Sequence, residues 1–371
     1  MTPDEILRVA AAGIVAPVDG ADLGAPAGCV IGVDIDGERT VAAAGFATPA
    51  SAEQPGVVMR RSTVHDLASV SKVVGTTTAL HRLASNGELA FDDPVTRFMP
   101  RFSGDADTTL RDLLQHRAGL WEWQPLYLAP EADPFDAMDA LPLRYAPGSA
   151  RHYSDLGFMV LGRVVASVAD VPLDAAVREL VTRPLVLRTL GYGPVDGAAA
   201  TSSNGDDAER SMVATGHPYP VMWPDDGFAW RTQPVRGAAN DGNCFHAFGG
   251  IAGHAGLFGS LDDLLDVAAA LSRADDEPEL WSPAVTAAVF AVGPDAEQAL
   301  GWRRDELVVR GERLPLLWHP GFAGCAVGFV PGRRIAVAFA SNRLLAPEPC
   351  PTDFLWRRAL DALASILSTQ E

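Results

Sequence analysis

Strand-like segments occupy the two ends of this 371-residue chain and helical ones its middle, and that division constrains the fold more than any other feature. Near the start, Cys29-Val30-Ile31-Gly32-Val33-Asp34-Ile35 and Thr40-Val41-Ala42-Ala43-Ala44 flank an Asp36-Gly37 turn, the signature of a hairpin. Near the end, residues 306–310, 314–319, 323–329 and 334–341 alternate with turns such as Pro331-Gly332. Between about 90 and 240 the pattern is helical, over 110–116, 156–168 and 173–185. Strands split this way satisfy their backbone groups by building one antiparallel sheet from both ends, with a helical region inserted. The expected fold class is therefore α/β (α+β): a discontinuous sheet domain, 1–62 and 241–371, and an inserted mainly α-helical domain, 63–240. Thr2-Pro3-Asp4-Glu5 caps a first helix that carries Ile6, Leu7, Ala10 and Ile14 on one face, and a helix over 352–367 closes the chain.

At the domain junction, Val70, Val73, Val74, Thr77, Leu80 and Ala84 follow helical spacing until Asn86-Gly87, which places Ser69 at a helix start. Lys72 is the only lysine in the chain; arginine carries every other side-chain positive charge. Only an amine can be neutralised by its surroundings or act as a compact proton relay. A serine and a lysine at i and i+3 share one helix face, the arrangement of an activated nucleophile, although so short a match also arises by chance. A helix start favours developing negative charge, because its N–H groups are unpaired.

A formal net charge of -18 repels phosphate backbones and anionic surfaces, so neither nucleic acid nor membrane is an expected partner. Cys29, Cys244, Cys325 and Cys350 are widely separated, without metal-ligand spacing, and are expected to be reduced, buried thiols. The apolar run 9–17 follows Asp4 and Glu5 rather than a basic leader, so it is read as helix, and the chain as cytoplasmic. The long irregular stretch 193–241 is expected to wrap a cleft. The chain has no Gly-x-Ser-x-Gly elbow, phosphate loop or His-Glu-x-x-His motif.

Two further segments join Ser69-Val70-Ser71-Lys72: Tyr153-Ser154-Asp155 and His319-Pro320-Gly321. In order and separation these resemble the serine β-lactamase and penicillin-binding-protein superfamily, in its class C branch, which also contains esterases, D-amino-acid peptidases and amidases. Leu113-Leu114-Gln115-His116-Arg117-Ala118-Gly119-Leu120, Tyr145-Ala146-Pro147-Gly148 and Gly253-His254-Ala255-Gly256 look like further landmarks. The resemblance implies a β-lactamase-like fold with no cofactor and no metal. It makes Ser69 the acylated nucleophile, Lys72 its proton partner and Tyr153 the general base. The backbone N–H groups of Ser69 and Phe322 would form the oxyanion hole, with Gly321 permitting close approach of a ligand to that strand.

Two departures shape the expected substrate. Asp155 stands where the branch commonly has asparagine, and a carboxylate there opposes the neutral lysine that a base at pH 7 would require. Lys72 is accordingly expected to stay an ammonium that activates Tyr153. Pro320 replaces a threonine that helps bind a substrate carboxylate, leaving His319 as a weaker anion anchor. Both favour a small-molecule ester or neutral amide over a lactam, and predict an esterase or amidase working through an acyl-enzyme. The alternatives left open are a β-lactamase or D-amino-acid peptidase, and a penicillin-binding or sensor protein that does not turn over. Trp121, Trp123, Trp318 and Phe322 are candidates for an acyl pocket, while His116, His254 and Ser71 read as packing residues. The oligomeric state is left open.

Overall fold

In the computed structural model, residues 1–17, 23–52, 54–197 and 199–369 are described. Seven antiparallel strands form the main sheet, in the order Val57–Val58, Glu38–Thr48, Gly28–Ile35, Ile335–Ser341, Cys325–Val330, Glu312–Pro320 and Arg303–Val309. The two ends of the chain meet at its centre, where Val33 lies opposite Val337 and Ile31 opposite Phe339. Asp36 and Gly37 both have positive φ, 54° and 88°, which is the turn that a tight two-residue hairpin demands.

Strand alternation decides what covers each face. Ile31, Val33, Val337 and Phe339 pack under the terminal helices, Pro3–Val15 and Thr352–Thr369, against Leu7, Ile14, Trp356 and Leu363. The opposite face presents Val30, Ala336, Ala338 and Ala340 to the helix Leu261–Ser272 and the larger core. Small side chains matter here: a Cβ on Gly32 would fall 2.9 Å from a Leu261 methyl. The first helix carries the expected capping box, with the Thr2 N–H donating to Glu5 at 2.8 Å and the Glu5 N–H to Thr2 Oγ1 at 3.3 Å. Ser260 makes no side-chain cap; Asp263 of the following helix instead accepts the Arg188 and Thr189 N–H groups at 2.9 and 2.7 Å.

The segment that begins at Ala68 departs most from sequence periodicity. Instead of one continuous α-helix it forms a 3₁₀ turn, Ala68–Val70, a π-helical stretch, Lys72–Thr77, and then an α-helix, Thr78–Ser85. All six residues of the π stretch are buried, so tertiary contacts on every side set its winding. The region 193–241 has more order than expected, with a helix at Asp207–Thr215 and a short ribbon pairing Thr201–Ser203 with Val235–Arg236. Trp318 is stacked on Trp356 in the core at 5.5 Å, and Trp121 donates to the Pro142 carbonyl away from the junction. Among the described residues, no single helix is long and apolar enough to cross a membrane and no cluster of side chains is suited to hold a metal ion.

Candidate active site

Ser69 sits on a strained turn. Ala68, immediately before it, has φ 44°, a left-handed conformation that a residue with a Cβ adopts at a cost of about 1–2 kcal/mol. The buried carboxylate of Asp66 holds that turn, accepting the Ala68 N–H at 2.8 Å and the Asn240 N–H at 2.6 Å. Burial raises the Asp66 carboxyl to about 6, with the two N–H bonds pulling the other way. Asp66 thus ties the Ser69 turn to the long loop that follows the helical region.

Lys72 is wholly buried, and its Nζ donates to Ser69 Oγ at 2.8 Å and to the His254 carbonyl at 3.2 Å. It also forms an ion pair with Asp155 Oδ1 at 2.7 Å. Burial pulls the Lys72 pKa down, but the charge of Asp155 and the Tyr153 hydroxyl outweigh it, and the net shift is upward. Lys72 is therefore an ammonium across the physiological range, and its nitrogen lies 5.2 Å from the Tyr153 ring centroid.

Tyr153 and Asp155 are placed by the start of the helix Asp155–Ala169. Ser154 caps that helix, its Oγ accepting the Gly157 N–H at 3.1 Å and donating to the Trp121 carbonyl at 2.6 Å. The Ser154 N–H donates to His116 Nδ1 at 3.0 Å, which fixes a buried imidazole whose ring lies 4.6 Å from that of Tyr153. His116 thus positions the tyrosine segment, and His254 pairs with Asp241 at 2.8 Å. The Ser71 hydroxyl accepts the Leu257 N–H at 3.2 Å, inside the packing.

The strand Glu312–Pro320 ends against the Ser69 turn. A Cβ on Gly321 would fall 2.5 Å from the Leu67 carbonyl, so glycine here admits the neighbouring chain segment itself, a closer approach than the ligand contact expected from sequence. The Gly321 carbonyl accepts the Thr352 hydroxyl and the Gly324 N–H, both at 3.0 Å. Because a trans peptide sets C=O and N–H antiparallel, this turns the Phe322 N–H to the opposite side of the peptide. Arg343 fixes the next peptide, its Nε donating to the Phe322 carbonyl at 2.8 Å, and its guanidinium lies 5.1 Å from the Phe322 ring.

His319 lies elsewhere than expected. It is 1% exposed, its Nδ1 donates to the Pro320 carbonyl at 2.8 Å, and its ring is 6.0 Å from that of Tyr153. Burial, reinforced by Arg303 and Lys72, holds its pKa well below the usual imidazole value. A neutral, enclosed imidazole supports the Tyr153 side of the site and does not form the cleft wall. The anion-anchoring role read from sequence is corrected on that ground.

Ser69, Tyr153, Asp155 and Phe322 line a cleft of about 250 Å³, together with Trp123, Tyr219, Glu209 and Asp241. Of the four aromatic candidates, Trp123 and Phe322 reach it and Trp121 and Trp318 do not. The loop 193–241 supplies much of the far wall, through Tyr219, Glu209 and Asn240, whereas Trp223 and Trp230 are outside it. Asp66, Glu209 and Asp241 had no sequence signal as site residues; only the Asp-x-Ala spacing before Ser69 resembles the carboxylate turn that Asp66 makes.

The family model described as Beta-lactamase matches residues 23–361. A putative D-alanyl-D-alanine carboxypeptidase of Escherichia coli K12 is 28% identical over 81% of this chain and 73% of its own length. An N-acetylmuramyl-L-alanine amidase of Bacillus subtilis 168 is 27% identical over 80% and 72%. Among solved structures, EstCE1, a hydrolase with promiscuous acyltransferase activity, superposes with a TM-score of 0.69 at 25% identity, over 97% of this chain and 99% of its own. A β-lactamase from Sulfitobacter sp. EE-36 shares the fold over the full length of both chains, with a TM-score of 0.71 and 19% identity. A match over nearly the whole chain, on a sheet built from both ends, makes this protein a serine hydrolase of the β-lactamase family.

Proposed function

We propose that Ser69 is the acylated nucleophile of an esterase or amidase acting on a small molecule, and that Tyr153 is its general base. The observation that carries this is the Lys72 ammonium, 2.8 Å from Ser69 Oγ and 2.7 Å from Asp155. A lysine held charged has no lone pair with which to take the serine proton. It instead stabilises the Tyr153 phenolate, and the phenolate accepts the proton as Ser69 Oγ attacks the substrate carbonyl carbon. The carbonyl oxygen gains negative charge between the N–H groups of Ser69 and Phe322, each such donor being worth about 2.7–4 kcal/mol in the transition state. Tyr153 then returns the proton to the departing alkoxide or amine, leaving an ester on Ser69. Water attacks that ester with Tyr153 again as base, and Ser69 recovers its proton.

The same cleft bears on the choice among esters, amides and lactams. Pro320 offers no hydroxyl, His319 is enclosed, and Asp155 is a second negative charge beside the nucleophile. A substrate carboxylate meets repulsion there, so neutral esters and amides fit better than carboxylate-bearing β-lactams. Residence in the cytoplasm belongs to the same proposal, supported by four free, buried cysteines.

Intact-protein mass spectrometry after exposure to a nitrophenyl ester, a fluorophosphonate probe and a cephalosporin tests this reading, with Ser69→Ala as control. The expected result is rapid ester turnover, a stable fluorophosphonate adduct on Ser69, and little reaction with the cephalosporin. Labelling that survives Ser69→Ala sinks the nucleophile assignment. A long-lived acyl adduct with every ester points instead to a penicillin-binding or sensor protein.

A further inference from the structure

The cleft around Ser69 does not end at Phe322. A second chamber of about 320 Å³ adjoins it, with Glu209, Asn240 and Phe322 as the shared boundary. Among the described residues, no arginine, lysine or histidine lines either chamber. The nearby cations are already engaged: Lys72 is fully buried and paired with Asp155, and Arg343, beside Phe322, donates to the Phe322 and Cys350 carbonyls.

The carboxylates around this space differ in what they already hold. Asp155 has Lys72, Asp241 has His254 at 2.8 Å, and Asp206 has Arg231 and His246 at 2.6 and 3.0 Å. Like the exposed Asp207, which lines the second chamber only, Glu209 at the boundary of both has no cation within ion-pair distance among the described residues. Its Oε2 accepts the Tyr127 hydroxyl at 2.7 Å and its Oε1 accepts the Gly242 N–H at 2.6 Å. Two accepted bonds, one on each oxygen, are the pattern of an ionised carboxylate. Burial and the neighbouring Asp241 nevertheless raise its pKa to about 8. The surroundings thus build a place for a carboxylate and withhold its counter-charge, so the group is largely protonated at neutral pH and a cation beside it favours the ionised form.

A second observation points the same way. Trp123 and Tyr219 line the same cleft as Glu209, and aromatic faces attract cations through the ring quadrupole. Aromatic walls with a carboxylate beside them suit an alkylammonium, whose methylene or methyl groups pack on the rings while its charge meets the anion. Neither a neutral nor an anionic arm gains both contacts.

We propose that the substrate of this enzyme carries an ammonium group, which the cleft takes against Glu209 between the aromatic side chains of Trp123 and Tyr219. This inference rests on the reading of Ser69 as nucleophile and adds the chemical class of its substrate: a cationic, amine-bearing ester or amide.

Two isosteric ester pairs test it, one for each side of the scissile bond. Butyrylcholine against 3,3-dimethylbutyl butyrate places the charge on the leaving group. The 4-nitrophenyl ester of 5-(trimethylammonio)pentanoate against that of 6,6-dimethylheptanoate places it on the acyl chain. In at least one pair the cation is expected to have the higher kcat/KM, on the order of tenfold, since one ion pair at partial burial supplies that much. The preference is expected to shrink as salt rises, and to fall to about threefold or less in Glu209→Gln, with its pairwise Coulomb term removed. Tyr219→Leu reads the aromatic wall separately, and the salt series in the unaltered enzyme serves if Glu209→Gln does not fold. Equal or better turnover of the neutral ester in both pairs overturns the proposal, as does a preference that Glu209→Gln and salt leave unchanged. If none of the four esters reacts while a fluorophosphonate probe still labels Ser69, this inference fails and the nucleophile stands. If the probe does not label Ser69, the proposed function fails first and takes this inference with it.

Discussion

Lys72 and Asp155 form an ion pair at 2.7 Å in which the lysine is fully enclosed and the carboxylate keeps 17% of its side-chain surface. Asp155→Asn leaves a buried ammonium without its counter-charge, which costs about 3–5 kcal/mol of stability. The sign of the pH effect follows from the raised Lys72 pKa. Its stabilisation is fully present below the lysine's unfolded value and is lost as pH rises through the folded one. In Asp155→Asn the alkaline limb of kcat/KM is therefore expected to move down by about 1–3 units, the usual effect of one opposite charge in contact. A pH–rate profile, with thermal unfolding in parallel, measures both.

Tyr153→Phe keeps the ring that packs beside His116 and removes only the hydroxyl. Acylation is expected to slow by about 10² to 10⁴, the range for loss of a general base. Stopped-flow release of nitrophenol reports it directly. Acylation at the unaltered rate eliminates Tyr153 as the base.

Gly321→Ala introduces a methyl group 2.5 Å from the Leu67 carbonyl, and main chain cannot yield as a flexible side chain does. The strand end must shift away from the Ser69 turn. A stability loss of about 1–3 kcal/mol is expected from the overpacking, and kcat is expected to fall more than KM rises, because the displaced Phe322 N–H is the one proposed to act on the developing oxyanion. A loss confined to KM contradicts this.

Asp66→Asn replaces a carboxylate that accepts two N–H bonds by an amide with one acceptor and one donor. One of the Ala68 and Asn240 N–H groups then faces an NH₂, at a cost of about 1–3 kcal/mol. The acid carries its own pH signature. With the folded carboxyl at about 6 and the unfolded one near 3.9, the folded chain binds more protons between them, so stability falls as pH rises through that window. Denaturant midpoints between pH 4 and 7 are expected to show this slope in the unaltered protein and lose it in Asp66→Asn.

The parts of this structure that were legible in sequence are those where one periodicity or one short spacing decides the outcome. The strand-like runs 29–35 and 334–341, at opposite ends of a chain with a helical middle, were enough to place both in one sheet, because strands split in this way pair with one another. The Ser69-x-x-Lys72 spacing brought hydroxyl and amine together even though the segment is not a regular α-helix, since a 3₁₀ turn also sets i and i+3 on one side. What stayed hidden depends on distant pairing. Glu209 and Asp241 reach the cleft only because the loop 193–241 folds back over it. His319 was expected to be a weak anion anchor next to Pro320, and its enclosure behind Tyr153 comes from neighbours such as Arg303 that sequence does not place beside it.

The meeting of both chain ends at the centre of the sheet has a consequence for synthesis. A ribosome that has delivered residues 1–300 has already made Ser69, Lys72 and Tyr153, but not the strand that ends at Pro320 or the strand 335–341 that joins the N-terminal hairpin to the rest of the sheet. Gly321 and Phe322 arrive later still than the cleft walls they complete. With Ser69 as the proposed nucleophile, the nascent chain carries that serine in an unfinished pocket, and hydrolytic activity is expected only once the last strands have emerged and joined the sheet.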